Sequence, residues 1–424
     1  MIWISVGILV VLSVLGVPLF LSCLAAVAFA IFVVMDVDAI FMMENTFLFS
    51  KSFVLAAVPL FILSGQILAA SGAVPPLIRL FNAFLGRVPG GPAYALILGC
   101  MLFGAMSSSA LAAVAGFGPV VVPLLVQLGY SRLFAVGLLL AASTLAQLIP
   151  PSIQLIFYGF IAQESVVDLW TAGVVPGIIV AILLGVTVFV QTKRGHYKTL
   201  PAADWGEKWA ALKQSWPVML MVPIVLAPLY AGVATPTEVS AIAVFYSLFL
   251  GFVWYRELTM QAFWDACRMT ARMMGIIFII ILMFLLLNIA LTHERLPFTL
   301  GEWMTNLGGG WMVFMLVATI AFLISGAIVD PSAMMFIAVP ILLPTLAVLG
   351  IDKISFGVFV TFATNLAIIT PPYGLLLFAT MPLLNLPFTF VARACLMFYP
   401  ALIVGMLLVA YIPELSTWLP NLIR

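Results

Sequence analysis

The sequence predicts an all-α polytopic membrane protein built from two inverted-topology repeats. Three observations predict it. Of the 424 residues, 65% are hydrophobic and only 7% are charged, where an ordinary soluble domain is roughly 25% charged. About ten apolar stretches approach the ~20 residues that a helical span requires. Five Pro/Gly marks recur at one separation. Pro119, Pro123, Gly129, Pro150 and Pro151 reappear 221 residues later as Pro340, Pro344, Gly350, Pro371 and Pro372. Proline and glycine fix breaks in the backbone, so the repeat is one of chain shape.

The same composition excludes several classes. A net charge of +1 provides no basic field for nucleic acid. Alternating segments of ~10 residues, which a transmembrane barrel needs, are absent. Cys23, Cys100, Cys267 and Cys395 lie far apart in or beside apolar runs, and His196 and His293 stand alone in polar connections. That pattern suits buried small hydrophobes better than a disulfide or metal centre. No Ser-His set, paired Asp or metal-spaced His is embedded in the apolar runs, so a transporter, not an enzyme, is expected. The opening run Ile2–Met35 has no basic leader and is too long for a signal peptide, so it is expected to belong to the mature fold.

The first repeat spans 1–192. Scaffold helices are expected over 1–72, with an interfacial arm at Asp36–Ser52. A hairpin follows over 92–128, interrupted by Ser107-Ser108-Ser109. A helix over 132–162 is broken at Leu148-Ile-Pro-Pro-Ser152, and a last helix covers 169–190. Residues 193–216 form a basic connector. The second repeat, 217–424, follows the same order: scaffold helices 217–291 with an arm at Arg256–Arg272, a hairpin over 311–349, a broken helix over 354–385 and a last helix over 388–412. Each hairpin is either re-entrant or a pair of full spans; polar backbone at mid-depth survives where protein or a water-filled cavity covers it. With the connector in the cytoplasm, twelve of the sixteen Lys/Arg fall inside; only Lys51, Arg295, Lys353 and Arg424 fall outside. That asymmetry obeys the positive-inside rule, inverts the second repeat and places both termini in the periplasm.

Inverted repeats with broken helices are typical of secondary transporters, whose ligands bind at mid-membrane. Each Pro-Pro removes two N–H donors and frees upstream carbonyls that suit Na⁺, while the half-helix start downstream suits an anion. A plain proline kink is the alternative. The hydroxyls of Ser107, Ser108 and Ser109 can ligate Na⁺ or donate to a carboxylate, or else bond to backbone. Asp330, which corresponds to Ser109 in the repeat, is either linked to an ion or a helix cap. Glu238, after Thr235-Pro-Thr, reads foremost as a cap. Thr144, Gln147, Ser152 and Gln154 in the first half, and Thr361, Thr364, Asn365 and Tyr373 in the second, are polar groups beside the breaks. Such groups avoid lipid, and all but Thr361 are expected to meet substrate.

At these residues the sequence resembles the large, DctM-type membrane subunit of tripartite ATP-independent periplasmic (TRAP) transporters. The resemblance rests on Ser107-Ser-Ser-Ala110, Pro119–Tyr130, Leu148-Ile-Pro-Pro-Ser152 with Tyr158-Gly159, Ala172-Gly-Val-Val-Pro-Gly177, Pro236-Thr-Glu238, Asp330–Pro344 and Thr370-Pro-Pro-Tyr-Gly374. It implies an elevator-type ion-transporter fold in the bacterial inner membrane. It also implies Na⁺-coupled import of a small organic acid, delivered by a periplasmic substrate-binding protein, with a small four-span membrane subunit packed on the scaffold. Na⁺ would be held by Ser107, Ser108 and Ser109 with Leu148 and Pro150, and by Gly326, Val329 and Asp330 with Thr370 and Pro371. The chain departs from the family pattern at Ala105-Met106-Ser107 and Ala367-Ile368-Ile369, where members often carry glycine. The competing readings are a stand-alone dicarboxylate/Na⁺ symporter of related fold, and a channel or structural scaffold. No cofactor is expected beyond Na⁺ as coupling ion.

Overall fold

The computed structural model describes residues 2–17, 19–35, 40, 43–44, 47, 54–195, 197–306, 308–327, 331–372 and 374–423. Among these the regular structure is helical throughout, with no strand. Five helices are long and apolar enough to cross a membrane alone, and up to nine crossings result when each bent pair counts as one. The expected first arm falls largely outside the described residues.

In the first half α1 (Ile2–Val14) and α2 (Leu19–Phe29) are followed by α3 (Ala57–Ala70) and α4 (Val74–Leu85). A bend of 69° separates α3 from α4, where Gly72 takes φ +79°. The hairpin is α5 (Gly91–Ser107) and α6 (Ala110–Gln127), the broken helix is α7 (Arg132–Leu148) and α8 (Ile153–Ala162), and α9 (Val166–Arg194) closes the half. The connector ends in α10 (Trp205–Met219), whose Asp204 and Glu207 form a capping box.

The second half begins with α11 (Met221–Tyr230) and α12 (Pro236–Leu248), the latter extended by a π-helical turn to Trp254. Glu238 is a cap: its carboxylate accepts from the Thr235 N–H at 2.7 Å, and Thr235 Oγ1 accepts from the Glu238 N–H. Next come α13 (Met260–His293), α14 (Leu296–Asn306), the hairpin α15 (Gly310–Gly326) and α16 (Pro331–Leu349), and the broken pair α17 (Lys353–Ala367) and α18 (Leu375–Leu384). The chain ends with α19 (Phe388–Leu396), α20 (Tyr399–Tyr411) and α21 (Glu414–Ile423).

Two segments differ from the sequence reading. The arm at Arg256–Arg272 and the span after it form one 34-residue helix from Met260, because no breaker stronger than Gly275 interrupts them. The last apolar run, 388–412, is not one helix: α19 and α20 meet at 54°. Pro400 sits in the first turn of α20, where its missing N–H costs nothing.

The helices pack in two sets that also touch one another, α13 lying against α16 and α3 against α5 and α6. Helices α2, α3, α12 and α13 lie against one another, and each hairpin lies along the broken helix of its own half. Close backbone approach makes the second arrangement possible. A Cβ on Gly104 of α5 would fall 2.2 Å from Ala146 Cα of α7, and one on Gly326 of α15 would fall 2.3 Å from Ala367 Cβ of α17. The broken helices also interlock across the halves. Arg132 donates to the Leu384 carbonyl at the end of α18 (3.0 Å), while Lys353 pairs with Glu164 just beyond α8 (3.3 Å). Tyr158 of α8 donates to the Lys353 carbonyl at 2.7 Å.

The connector packs at one end of the molecule. Lys198 and Leu200 donate backbone N–H groups to the Leu128 and Gly86 carbonyls, both at 2.9 Å, and Tyr197 stacks on Tyr130 with ring centroids 4.0 Å apart. Arg79 of α4 and Lys213 of α10 line one hollow beside it.

Candidate functional site

The first half-site joins the serine tip to the first Pro-Pro. Ser108 is left-handed (φ 51°), which turns the chain between α5 and α6. Its hydroxyl donates to the Pro151 carbonyl. Ser109 caps α6 by accepting from the Ala112 N–H at 3.1 Å, and Ser107 Oγ receives the Ser109 N–H at 3.4 Å. Helix α3 approaches closely here as well, since a Cβ on Gly65 would fall 2.7 Å from the Ser107 carbonyl oxygen. The tip and the break, which the family resemblance pairs, are thus in direct contact. Ser108→Ala removes the link and is expected to cost about 0.5–1.5 kcal/mol of stability. A lowered melting midpoint together with reduced uptake is the predicted pair of readings.

Around the same break, Ser152 caps α8 through the Leu155 N–H and donates its own proton to the Gln147 carbonyl. Trp170 of α9 donates to the Ser152 carbonyl at 3.0 Å. Gly173 lets α9 approach the Leu148 carbonyl, because a Cβ there would sit 2.7 Å from it. Leu148 and Pro150 therefore lie at a braced break and not on a lipid-facing kink.

At the second break Gly326 lies against Ala367, as described, but Val329, Asp330 and Tyr373 lie outside the described residues. Thr370 turns its hydroxyl back to the Leu366 carbonyl at 2.7 Å. Tyr399 donates to the Ile369 carbonyl at 2.7 Å, so that carbonyl is already engaged. Pro371 follows directly, in the turn that leads to α18. The start of α18 has no side-chain cap.

Helix α17 packs against α7 and α8, and these helices carry a set of buried polar residues. Thr364 of α17 donates to Gln154 Oε1 of α8 at 2.5 Å, joining the halves, and also reaches the Thr361 carbonyl at 2.8 Å. Thr144 satisfies its proton on the Ala141 carbonyl at 2.7 Å. In this set three polar groups have no partner among the described residues: Gln147 Oε1, Thr361 Oγ1 and both amide atoms of Asn365. Thr361 and Asn365 are fully buried, and their spacing puts them on one face of α17. A buried amide with no partner costs about 1–3 kcal/mol, so such a group calls for a ligand or a functional reason.

Sequence reasoning named Thr144, Gln147, Gln154, Thr364 and Asn365 as polar neighbours of the breaks, of which the structure bonds Thr364 to Gln154; it did not place Thr361 in the site or foresee Tyr399. Thr361 was marked only by its spacing from Asn365. Tyr399 carried no local signal, being 30 residues from its acceptor.

A family profile described as "Tripartite ATP-independent periplasmic transporter, DctM component" matches residues 6–415. The C4-dicarboxylate TRAP transporter large permease protein DctM of Pseudomonas aeruginosa is 35% identical, covering 88% of this chain and 87% of that protein. The protein of the same description from Rhodobacter capsulatus is 31% identical over 98% of both. The sialic acid TRAP transporter large permease protein SiaM of Vibrio cholerae is 30% identical over 88% of this chain and 87% of its own length. Among solved structures, the Alcanivorax borkumensis YdaH transporter aligns with a TM-score of 0.56 at 19% identity, covering 87% of this chain and 86% of that one. This last likeness concerns the fold alone.

Proposed function

The chain belongs to the DctM-component family of tripartite ATP-independent periplasmic transporters, and from that premise we propose that it is the large permease of a Na⁺-coupled importer of a small organic acid. It is a multi-pass membrane transporter subunit, and its relatives are permeases, not enzymes. In the proposed arrangement it lies in the bacterial inner membrane with both termini in the periplasm and the connector in the cytoplasm. A soluble periplasmic substrate-binding protein delivers the acid, and a small four-span subunit packs on the frame.

One observation supports this reading above the rest: fully buried Asn365, with neither amide atom bonded, sits beside Thr361 and within that set of buried polar residues. An amide that donates and accepts at once suits a carboxylate plus a hydroxyl or carbonyl on the same small molecule. The start of α18 has no side-chain cap and presents the positive end of its dipole to the negative charge, although the N–H groups of Gly374, Leu376 and Leu377 are already bonded to backbone carbonyls. Thr144, Gln147, Ser152, Gln154, Thr364 and Tyr373 complete the proposed substrate side. The proposed Na⁺ sites are Ser107, Ser108 and Ser109 with Leu148 and Pro150, and Gly326, Val329 and Asp330 with Thr370 and Pro371.

The mechanism proposed is an elevator between inverted repeats. Hairpins α5–α6 and α15–α16, together with the broken helices, form the carrier, and α2, α3, α12 and α13 stay fixed. The paired glycine contacts and the two cross-half clasps support a carrier that moves as one body. Reconstitution in proteoliposomes tests the function. Uptake of the acid is expected only with an inward Na⁺ gradient and with the cognate binding protein present. Full uptake without any soluble protein would favour a stand-alone symporter, and downhill flux indifferent to Na⁺ would favour a channel.

A further inference from the structure

A polar hollow lined by none of the residues of the breaks opens where α4, α10 and the turn before α13 meet. Its volume is about 570 Å³, and Arg79, Lys213, Gln214, Trp254, Tyr255 and Glu257 line it. The walls are tied together. Arg79 donates to Gln214 Oε1 at 2.9 Å, Tyr255 Oη donates to the Gln214 carbonyl at 2.8 Å, and Ser215 donates to the Pro76 carbonyl at 2.8 Å. The guanidinium is therefore held by a neutral amide and keeps further N–H groups to offer.

The charges in the hollow do not cancel. Among the described residues neither Arg79 nor Lys213 has a carboxylate within ion-pair distance. Glu257 is turned toward the α3–α4 bend, where a Cβ on Gly72 would fall 2.6 Å from its carboxylate. Two cations and one carboxylate leave one positive charge, which suits a monoanion. The depth of the hollow identifies the source of that anion. Trp205, Trp209, Trp216, Trp254 and Trp264 are 80%, 59%, 44%, 44% and 55% exposed. Lys208 and Lys213 lie over the rings of Trp205 and Trp209. Exposed tryptophans interleaved with lysines mark the boundary between hydrocarbon and water. At that depth the abundant anion is a phospholipid head. In the turns of chain leading to Trp254, which lines the hollow, exposed Phe249, Phe252 and Val253 offer apolar surface for acyl chains.

We propose that the Arg79–Lys213 hollow is a headgroup site for a monoanionic phospholipid of the phosphatidylglycerol class. The phosphodiester meets the guanidinium and the ammonium, and a glycerol hydroxyl donates to Glu257. The site depends on the membrane fold alone and not on the transport reading.

Native mass spectrometry of the detergent-purified full chain, titrated with phosphatidylglycerol, phosphatidylethanolamine or phosphatidylcholine, tests it. Wild type should retain phosphatidylglycerol in preference to the two zwitterionic lipids. The Arg79→Gln/Lys213→Gln variant should lose about 10–30-fold of that retention, with an unchanged melting midpoint in lipid-free detergent. The charge-conserving Arg79→Lys/Lys213→Arg variant should keep the preference. Equal retention by the neutralised variant would overturn the proposal, as would equal retention of a zwitterionic lipid. Displacement of the lipid by millimolar glycerol 3-phosphate or inorganic phosphate would also overturn it and assign the hollow to a soluble anion.

Discussion

Replacing Asn365 by leucine is expected to make the permease more stable and nearly inactive. The amide is fully buried and neither of its polar atoms has a partner, so the folded protein carries its desolvation cost of about 1–3 kcal/mol. Leucine has a similar volume and no such cost. Stability should rise, seen as a higher melting midpoint of the detergent-solubilised protein. Transport should fall, because a hydrogen bond to a charged ligand is worth about 1.5–3 kcal/mol, or roughly 10–150-fold in affinity. The two readings moving in opposite directions are the diagnostic result. A residue that merely packs would move both the same way, and retained uptake would remove Asn365 from the substrate path.

The second large effect concerns the glycines beneath the hairpin tips, and the two halves should answer differently to the same operation. Gly326→Ala drives a methyl group to within 2.3 Å of Ala367 Cβ, while Ala367 Cα is 3.4 Å away. The clash is therefore with a side chain, and Ala367→Gly should relieve it. Gly104→Ala meets Ala146 Cα itself at 2.2 Å. Removing the methyl of Ala146 leaves that atom in place, so Ala146→Gly should not rescue it. Each single variant is expected to lose about 1–3 kcal/mol through overpacking and most of its uptake. Melting and uptake of the two double variants decide the matter: recovery in the second half without recovery in the first is the expected pattern.

What was legible beforehand was the punctuation of the chain. Proline and glycine act on the backbone residue by residue, so the marks from Pro119 to Pro151 and their partners from Pro340 to Pro372 already gave the hairpins and broken helices. The polar residues near them were legible because hydroxyls and amides in apolar runs have few places to go. Thr144 and Asn365 even stand at the separation of the prolines. Contacts between distant segments were not legible. Nothing local links Gln154 to Thr364, Tyr399 to Ile369 or Arg132 to Leu384; those bonds exist because the tertiary fold brings them together. Two segments were misread for a different reason: the charges of Arg256–Arg272 suggested a separate arm where the helix in fact runs on from Met260 to His293, and the uniform hydropathy of 388–412 concealed the helix start at Pro400.

The Thr364–Gln154 bond has a consequence for biogenesis. Its two ends are 210 residues apart in the chain. At 5–20 residues per second, a ribosome needs about 10–40 s to make that length. Throughout this time the newborn first half sits in the bilayer with an unmet glutamine side chain and with Arg132 lacking its carbonyl. Fragments ending before Lys353 should therefore be substrates for membrane proteases or clients of an insertase. Co-expressed halves, by contrast, should protect each other.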